Sequence, residues 1–267
     1  MSLALLGVAC TTEPQIESSS TDTEAADESP AVSYRTVEVI NTYPHDPSLF
    51  TQGLEFVDDM LIESAGGRGR SSIRIYDPTN GSVVATHDLD GDLFAEGATV
   101  VGDRIWQLTW TSERALVYLL DGLELVDEVQ YEGEGWGLCL LDDQFVMSNG
   151  SDQLTLRRTT DFAAVESIPV RLEGFGPVSA LNELECVSDG GRSMVWANVW
   201  RSTTIYGVDA ATGRVTEVVD ASALVPPGFE DDTEQVLNGI AIHPETGRLW
   251  LTGKEWPVLY EVEISGG

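Results

Sequence analysis

The chain has 267 residues, with 45 Asp+Glu against 14 Lys+Arg and a formal net charge of −31. That balance excludes a nucleic-acid binder working through a general basic surface, which needs Lys and Arg to displace counterions from phosphates, and it disfavours docking on an anionic membrane. A hydrophobic content of 42% with seven Trp excludes a disordered acidic chain and supplies enough apolar material for a core. Thirteen of the fourteen basic residues are Arg, and Lys254 is the only lysine.

The first ten residues, Met1 to Cys10, form a short apolar run ending in small residues and a cysteine. They resemble the end of a bacterial lipoprotein signal, with Cys10 lipidated after cleavage. No basic segment precedes the run, and Gly7 stands where Leu is usual. An apolar leader without lipid is the alternative. The expected location is exported, as a periplasmic or cell-envelope lipoprotein of a bacterium. Residues 11–33 turn to Ser, Thr, Glu, Asp, Ala and Pro, which predicts a disordered acidic tether. The tether carries six acids and no base, so the rest keeps 39 acids against 14 bases and is itself strongly acidic. Residues 34–267 are then the folded domain. No stretch approaches the roughly 18–20 apolar residues of a spanning helix.

From Arg35 onward the sequence reads as short alternating strands and turns with almost no helical period. A unit recurs: an apolar start, a turn, and a strand ending near Ser, Thr or Trp. Copies begin at Gly53, Gly97, Gly137, Leu184 and Gly239, separated by 44, 40, 47 and 55 residues. Each is followed by a second hairpin, with turn signals such as Asn80-Gly81 and Thr212-Gly213. Four strands per unit at that period predicts a β-propeller. The expected fold is all-β, a five-bladed β-propeller closed by an N-terminal strand, because the last copy lacks an outer strand that Thr36–Thr42 can supply.

Cys139 and Cys186 lie in apolar strand-like contexts and are read as buried free thiols, with one disulfide as the alternative outside the cytoplasm. His45, His87 and His243 are scattered without metal-ligand spacing, so no metal site and no cofactor are expected.

In a propeller the loops entering the inner strands form the mouth of the central channel. The positions just before the five repeat starts carry Gln52, Glu96, Trp136, the pair Asn182/Glu183, and Asn238. A repeat kept only for packing tends to repeat its residue. This variety predicts a composite polar and aromatic pocket.

Tyr43-Pro-His-Asp46 followed by Phe50-Thr-Gln-Gly-Leu54 closely resembles the start of the glutaminyl cyclotransferases of the plant and bacterial, metal-independent type. Further segments fit in order: Phe94–Gly97, Gln107–Trp110, Gly135–Leu138, Leu181–Glu185, Trp196–Trp200, Leu237–Ala241 and Thr252–Trp256. The resemblance spans about Tyr34 to Ile264. It implies an acyltransferase that cyclises the N-terminal glutamine of peptides or proteins to pyroglutamate with loss of ammonia, working without zinc; a monomer is expected.

By that resemblance Glu96 is the acid/base group, with its pKa raised by the aromatic surroundings. Asn182, Gln52 and Lys254 match pocket positions that stabilise the oxyanion or grip the substrate backbone. Phe50, Phe94, Trp110, Trp136, Trp200 and Asn238 complete the expected substrate-binding set, with Trp196 competing with Trp200 for one position. Lys254, the lone lysine, falls inside a matched pocket segment, where an ammonium on a flexible stem differs from a guanidinium fork. Two other readings stay open: a calcium-dependent, lactonase-like propeller hydrolase using Glu96, Asn182 and Asn238 as oxygen ligands, and a non-catalytic propeller that binds peptide termini.

Overall fold

The computed structural model describes Met1 and residues 31–266. The leader with Cys10 and the tether up to residue 30 lie outside the described residues. The remainder is all-β, with a single 3-10 turn at Ser222–Leu224.

Three sheets are four-stranded antiparallel meanders in chain order. The first comprises β2 (Phe50–Val57), β3 (Met60–Gly66), β4 (Ser72–Asp77) and β5 (Ser82–Asp88). The second holds β6 (Ala95–Val101), β7 (Arg104–Thr109), β8 (Arg114–Leu119) and β9 (Leu125–Gln130). The third is β10 (Leu138–Leu141), β11 (Gln144–Met147), β12 (Gln153–Arg158) and β13 (Ala164–Pro169). A short hairpin of β14 (Arg171–Leu172) and β15 (Gly176–Pro177) follows.

Together with that hairpin, the remaining strands form one ten-stranded sheet. It contains β16 (Leu181–Asp189), β17 (Arg192–Val199), β18 (Thr204–Asp209) and β19 (Arg214–Asp220), then β20 (Leu237–Ile242), β21 (Leu249–Gly253) and β22 (Val258–Ser265). The N-terminal strand β1 (Ser33–Pro44) joins the two halves. It pairs antiparallel with β22 along Thr36–Pro44, and its first residues pair parallel with Glu217–Asp220 of β19. The outer strand missing from the last repeat therefore comes from the other end of the chain.

The arrangement is propeller-like. Innermost strands neighbour one another in a closed order, β2 to β6 to β10 to β16 to β20 and back to β2. Apolar clusters pack successive groups of strands together: Ile73 with Ile105 and Leu116, Trp106 with Phe145 and Phe162, Val146 with Val195, Ile205 with Leu251 and Trp256, and Leu61 with Trp250 and Leu259. Strands β2, β3, β6 and β7 are buried over most of their length because a sheet lies against each face. The outer strands β5, β9 and β13 are largely exposed and read as polar or mixed.

Glycine at the repeat start lets the inner strands approach closely. A Cβ on Gly97 would fall 2.5 Å from the Leu138 nitrogen, and one on Gly53 would fall 2.7 Å from the Ala98 nitrogen. The fourth repeat has Glu183 at this address. Its buried carboxyl crosses the channel to accept the backbone N–H groups of Ile240 (2.8 Å) and Leu54 (3.3 Å), tying three inner strands together.

The cysteines correct the reading from sequence. Cys139 on β10 and Cys186 on β16 form a disulfide, with Cα atoms 5.5 Å apart across 47 residues of chain. Apolar neighbours indicated burial correctly for Cys139, but the contact between adjacent inner strands is what brings the sulfurs together.

Candidate active site

Chain segments at the ends of the inner and second strands converge at one end of the ring. Phe50 and Gln52 open β2, and Phe94 and Glu96 stand at the start of β6. Trp136 precedes β10, Asn182 opens β16, and Trp110, Trp200 and Lys254 follow β7, β17 and β21. These nine side chains, with Glu234, line one cavity of about 240 Å³.

Its walls are largely aromatic. Phe94 meets Phe50 edge-on at 6.1 Å and Trp110 at 5.7 Å, while Trp136 and Trp200 meet at 5.6 Å and 85°. Gly66 and Gly150 leave the space that the Phe94 and Trp136 rings occupy. Of the two competing tryptophans, Trp200 lies in the cavity. Trp196 packs partly buried against the cluster around Leu251 and lines a separate surface groove.

Glu96 is 3% exposed, and its Oε2 has no hydrogen-bond partner in the protein. Burial holds its carboxyl well above the usual carboxylate range; the positive charge of Lys254 and a hydrogen bond from Gln52 pull the other way, and Glu134 adds a smaller upward push. Its strand is fixed from behind by a buried polar chain. Tyr118 donates to Gln107 Oε1 at 2.9 Å, Gln107 Nε2 donates to Ser64 Oγ at 2.8 Å, and Ser64 donates to the Glu96 carbonyl.

Lys254 is also 3% exposed, and its Nζ lies 4.7 Å above the Phe50 ring. Burial pushes its pKa down to about 8, against the pull of Glu96 and Glu234. The turn carrying it is held from outside the cavity. The Lys254 N–H donates to Val236 O at 2.9 Å, and that of Glu255 (φ +59°) donates to Leu49 O at 2.7 Å.

Buried His45 meets the Trp256 carbonyl through Nδ1 at 2.6 Å and the Glu63 carboxylate through Nε2 at 3.0 Å. Both partners are acceptors, so both ring nitrogens carry hydrogen. Burial opposes that charge, but Glu63 and the carbonyl outweigh it and raise the His45 pKa above its ordinary value.

Asn182 is buried at the cavity wall, and its Oδ1 has no partner. Its carbonyl accepts from Ser148 Oγ at 2.6 Å, and that same oxygen receives the Gly137 N–H at 2.7 Å. The Trp136 and Asn182 loops are thereby linked.

Asn238 does not join the expected set. It is fully buried outside the cavity, where its Nδ2 donates to Thr51 O at 2.9 Å and to Gln52 Oε1 at 3.1 Å. The repeat equivalence breaks there because Gly239 adopts φ +116°, unlike Gly53, Gly97 and Gly137. The oxygens of Glu96, Asn182 and Asn238 therefore do not line one cavity, as the calcium reading requires. Among the described residues, no group of three or more His, Cys, Asp or Glu side chains is placed to hold a metal ion.

Two acids escaped the sequence reading. Glu234 closes one side of the cavity and receives a hydrogen bond from Arg201. Glu134 sits in an exposed turn, where its Oε2 accepts from both Trp110 Nε1 (2.7 Å) and Trp136 Nε1 (3.0 Å). One carboxylate thus fixes two walls. Only its position two residues before Trp136 hinted at this.

The glutamine cyclotransferase family model matches residues 8–264. The chain belongs to that family. It is 34% identical over 232 residues to the glutaminyl-peptide cyclotransferase of Arabidopsis thaliana, covering 85% of this chain and 71% of that relative. The crystal structure of Myxococcus xanthus glutaminyl cyclase superposes with a TM-score of 0.80 at 38% identity, over 88% of this chain and 98% of that one. The Arabidopsis relative shares sequence with this chain, and the Myxococcus enzyme shares both sequence and fold, over most of its length.

Proposed function

We propose that the chain is a glutaminyl-peptide cyclotransferase, an acyltransferase that converts N-terminal glutamine of peptides or proteins to pyroglutamate and releases ammonia. The observation that carries this reading is the unpaired, buried Oε2 of Glu96 inside an aromatic cavity, in a member of this family.

The substrate α-ammonium enters beside the Glu96 carboxylate, which takes one proton and leaves a neutral amine. A carboxyl held well above its usual range can keep that proton, whereas an ordinary glutamate cannot compete with an amine of pKa near 8. The amine nitrogen attacks the γ-carboxamide carbon, a C–N bond forms, and the carbonyl oxygen becomes an oxyanion. Glu96 then gives its proton to the departing nitrogen. The original C–N bond breaks, the ring nitrogen returns its extra proton to the same carboxylate, and the released ammonia takes that proton away as ammonium, which restores the carboxylate.

Lys254 supplies positive charge to the oxyanion across the low-dielectric cavity. Asn182 Oδ1 accepts from the substrate amine or carboxamide. The aromatic walls exclude water and hold the glutamine side chain curled toward its own amine, which reduces the entropy lost on closure.

The closed order of inner strands and the apolar clusters between sheets support a five-bladed propeller, with β1 serving as the outer strand of the last blade. The disulfide supports residence outside the reducing cytoplasm. The reading includes an exported monomer anchored through a lipidated Cys10. Mass spectrometry of Gln-initiated peptides tests the chemistry: loss of one ammonia with blockage of the N-terminal amine is expected, whereas a small gain in mass with a free amine, water having replaced ammonia, would mean plain deamidation.

A further inference from the structure

Next to the cavity, on the same rim, lies a second depression of about 300 Å³. Its lining mixes the apolar Val225 and Phe229 with the polar Ser202, Thr203 and Gln235, and Glu230 and Asp232 belong to it as well. Arg201 forms the wall it shares with the cavity. The Arg201 guanidinium lies 4.2 Å over the Trp200 ring and is hydrogen-bonded to Glu234, and Trp200 and Glu234 both line the cavity.

We propose that this depression is a subsite for the second residue of the peptide substrate and favours one with an apolar stem and a cationic head. The inference rests on the cyclisation reading above. The N-terminal glutamine of the substrate occupies the cavity of about 240 Å³ beside Glu96, and the chain that follows it runs on from there. That chain crosses the rim, and the Arg201–Glu234 pair leads into the depression. Glu234 already neutralises Arg201, so the uncompensated charge of the subsite is that of Glu230 and Asp232.

Both carboxylates are held by the loop backbone. Glu230 Oε2 accepts the Gly228 N–H at 2.8 Å, and Asp232 Oδ1 accepts the N–H groups of Glu234 and Gln235, each at 2.7 Å. Val225 and Phe229 beside two fixed carboxylates suit the aliphatic stem and charged end of Arg or Lys.

The test uses the full-length protein, a coupled ammonia assay, and Gln-Gly, Gln-Arg and Gln-Glu dipeptides at low ionic strength. The expected kcat/KM order is Gln-Arg, Gln-Gly, Gln-Glu. About fivefold should separate the first from the last, the scale of one exposed ion pair, and the gap should shrink as salt is added. The double variant Glu230→Gln/Asp232→Asn keeps both loop acceptors and removes the charge. It should abolish the spread through KM and leave Gln-Gly unchanged. Equal turnover of Gln-Arg and Gln-Glu by the wild type, or a spread that survives in the double variant, overturns the subsite while the cyclisation reading stands. If none of the three dipeptides releases ammonia, the cyclisation reading itself fails and takes the subsite with it.

Discussion

Asn238 donates from Nδ2 to the side-chain oxygen of Gln52 at 3.1 Å, and this bond decides which way the Gln52 amide faces. With its oxygen engaged, Gln52 presents its NH2 group to Glu96. Asn238 thus acts one layer behind the cavity, as a positioning residue. Asn238→Ala should lower kcat by about tenfold and, by weakening the Gln52 bond to Glu96, shift the acidic limb of the kcat/KM profile to higher pH. A change confined to thermal stability, with the limb unmoved, would reduce Asn238 to a packing residue.

Glu134 holds Trp110 and Trp136 through one oxygen. Glu134→Ala releases both indoles and should raise KM for Gln-peptides by about tenfold, the scale of two such bonds lost. Glu134→Gln keeps an acceptor but removes a negative charge near Glu96. Its KM should recover substantially, and the acidic limb should move to lower pH. Steady-state kinetics across pH separates the two effects.

Lys254 is placed for function at a cost to stability. Its folded pKa lies near 8, below its ordinary value of 10.5, so the folded state disfavours the ammonium. Any penalty is absent above about pH 10.5, grows as the pH falls toward 8, and is constant below that. Lys254→Met should therefore be more stable than the wild type at pH 7, by up to ~3 kcal/mol, with the gain vanishing near pH 10.5. The same variant should lose kcat by ~10²-fold. Denaturant melts at several pH values, paired with the ammonia assay, check both halves.

His45 is the opposite case, a base whose pKa is raised on folding. Its ion pair with Glu63 stabilises fully below pH 6.5, and the contribution is lost as pH rises through the folded pKa. The stability gap between wild type and His45→Gln should narrow on going from pH 6 to alkaline pH. Because His45 also holds the Trp256 carbonyl, the variant should lose kcat through a displaced Lys254 turn.

The Cys139–Cys186 disulfide joins two inner strands and closes a long loop, so Cys139→Ala/Cys186→Ala should lose ~2–4 kcal/mol of stability. An equal loss on reducing the wild type, and no further loss on reducing the variant, would assign the effect to this bond.

Much of the architecture was legible in the sequence because β-repeats leave a periodic trace. Turn residues, apolar strands and a near-constant glycine recur where inner strands must approach. The residues before those repeat starts stood out for a related reason: Gln52, Glu96, Trp136 and Asn182 differ where packing alone would have kept them uniform. What the pattern could not carry was orientation and partnership across the ring. Asn238 occupies the equivalent address, but Gly239 turns the backbone and the side chain serves Gln52. Glu134 looked like one more surface acid in a very acidic chain, since nothing local shows that two indoles from different loops share its oxygen. The cysteines revealed their apolar setting but not that β10 and β16 are neighbours.

The most direct test of the proposed chemistry is the turnover of Gln-initiated dipeptides by Glu96→Gln, measured as ammonia release at saturating substrate. That variant keeps the size of the side chain and removes the group that both accepts and returns the proton. A fall in kcat of at least ~10²-fold with a folded, peptide-binding protein is expected. Near-wild-type ammonia release would contradict the assignment of Glu96.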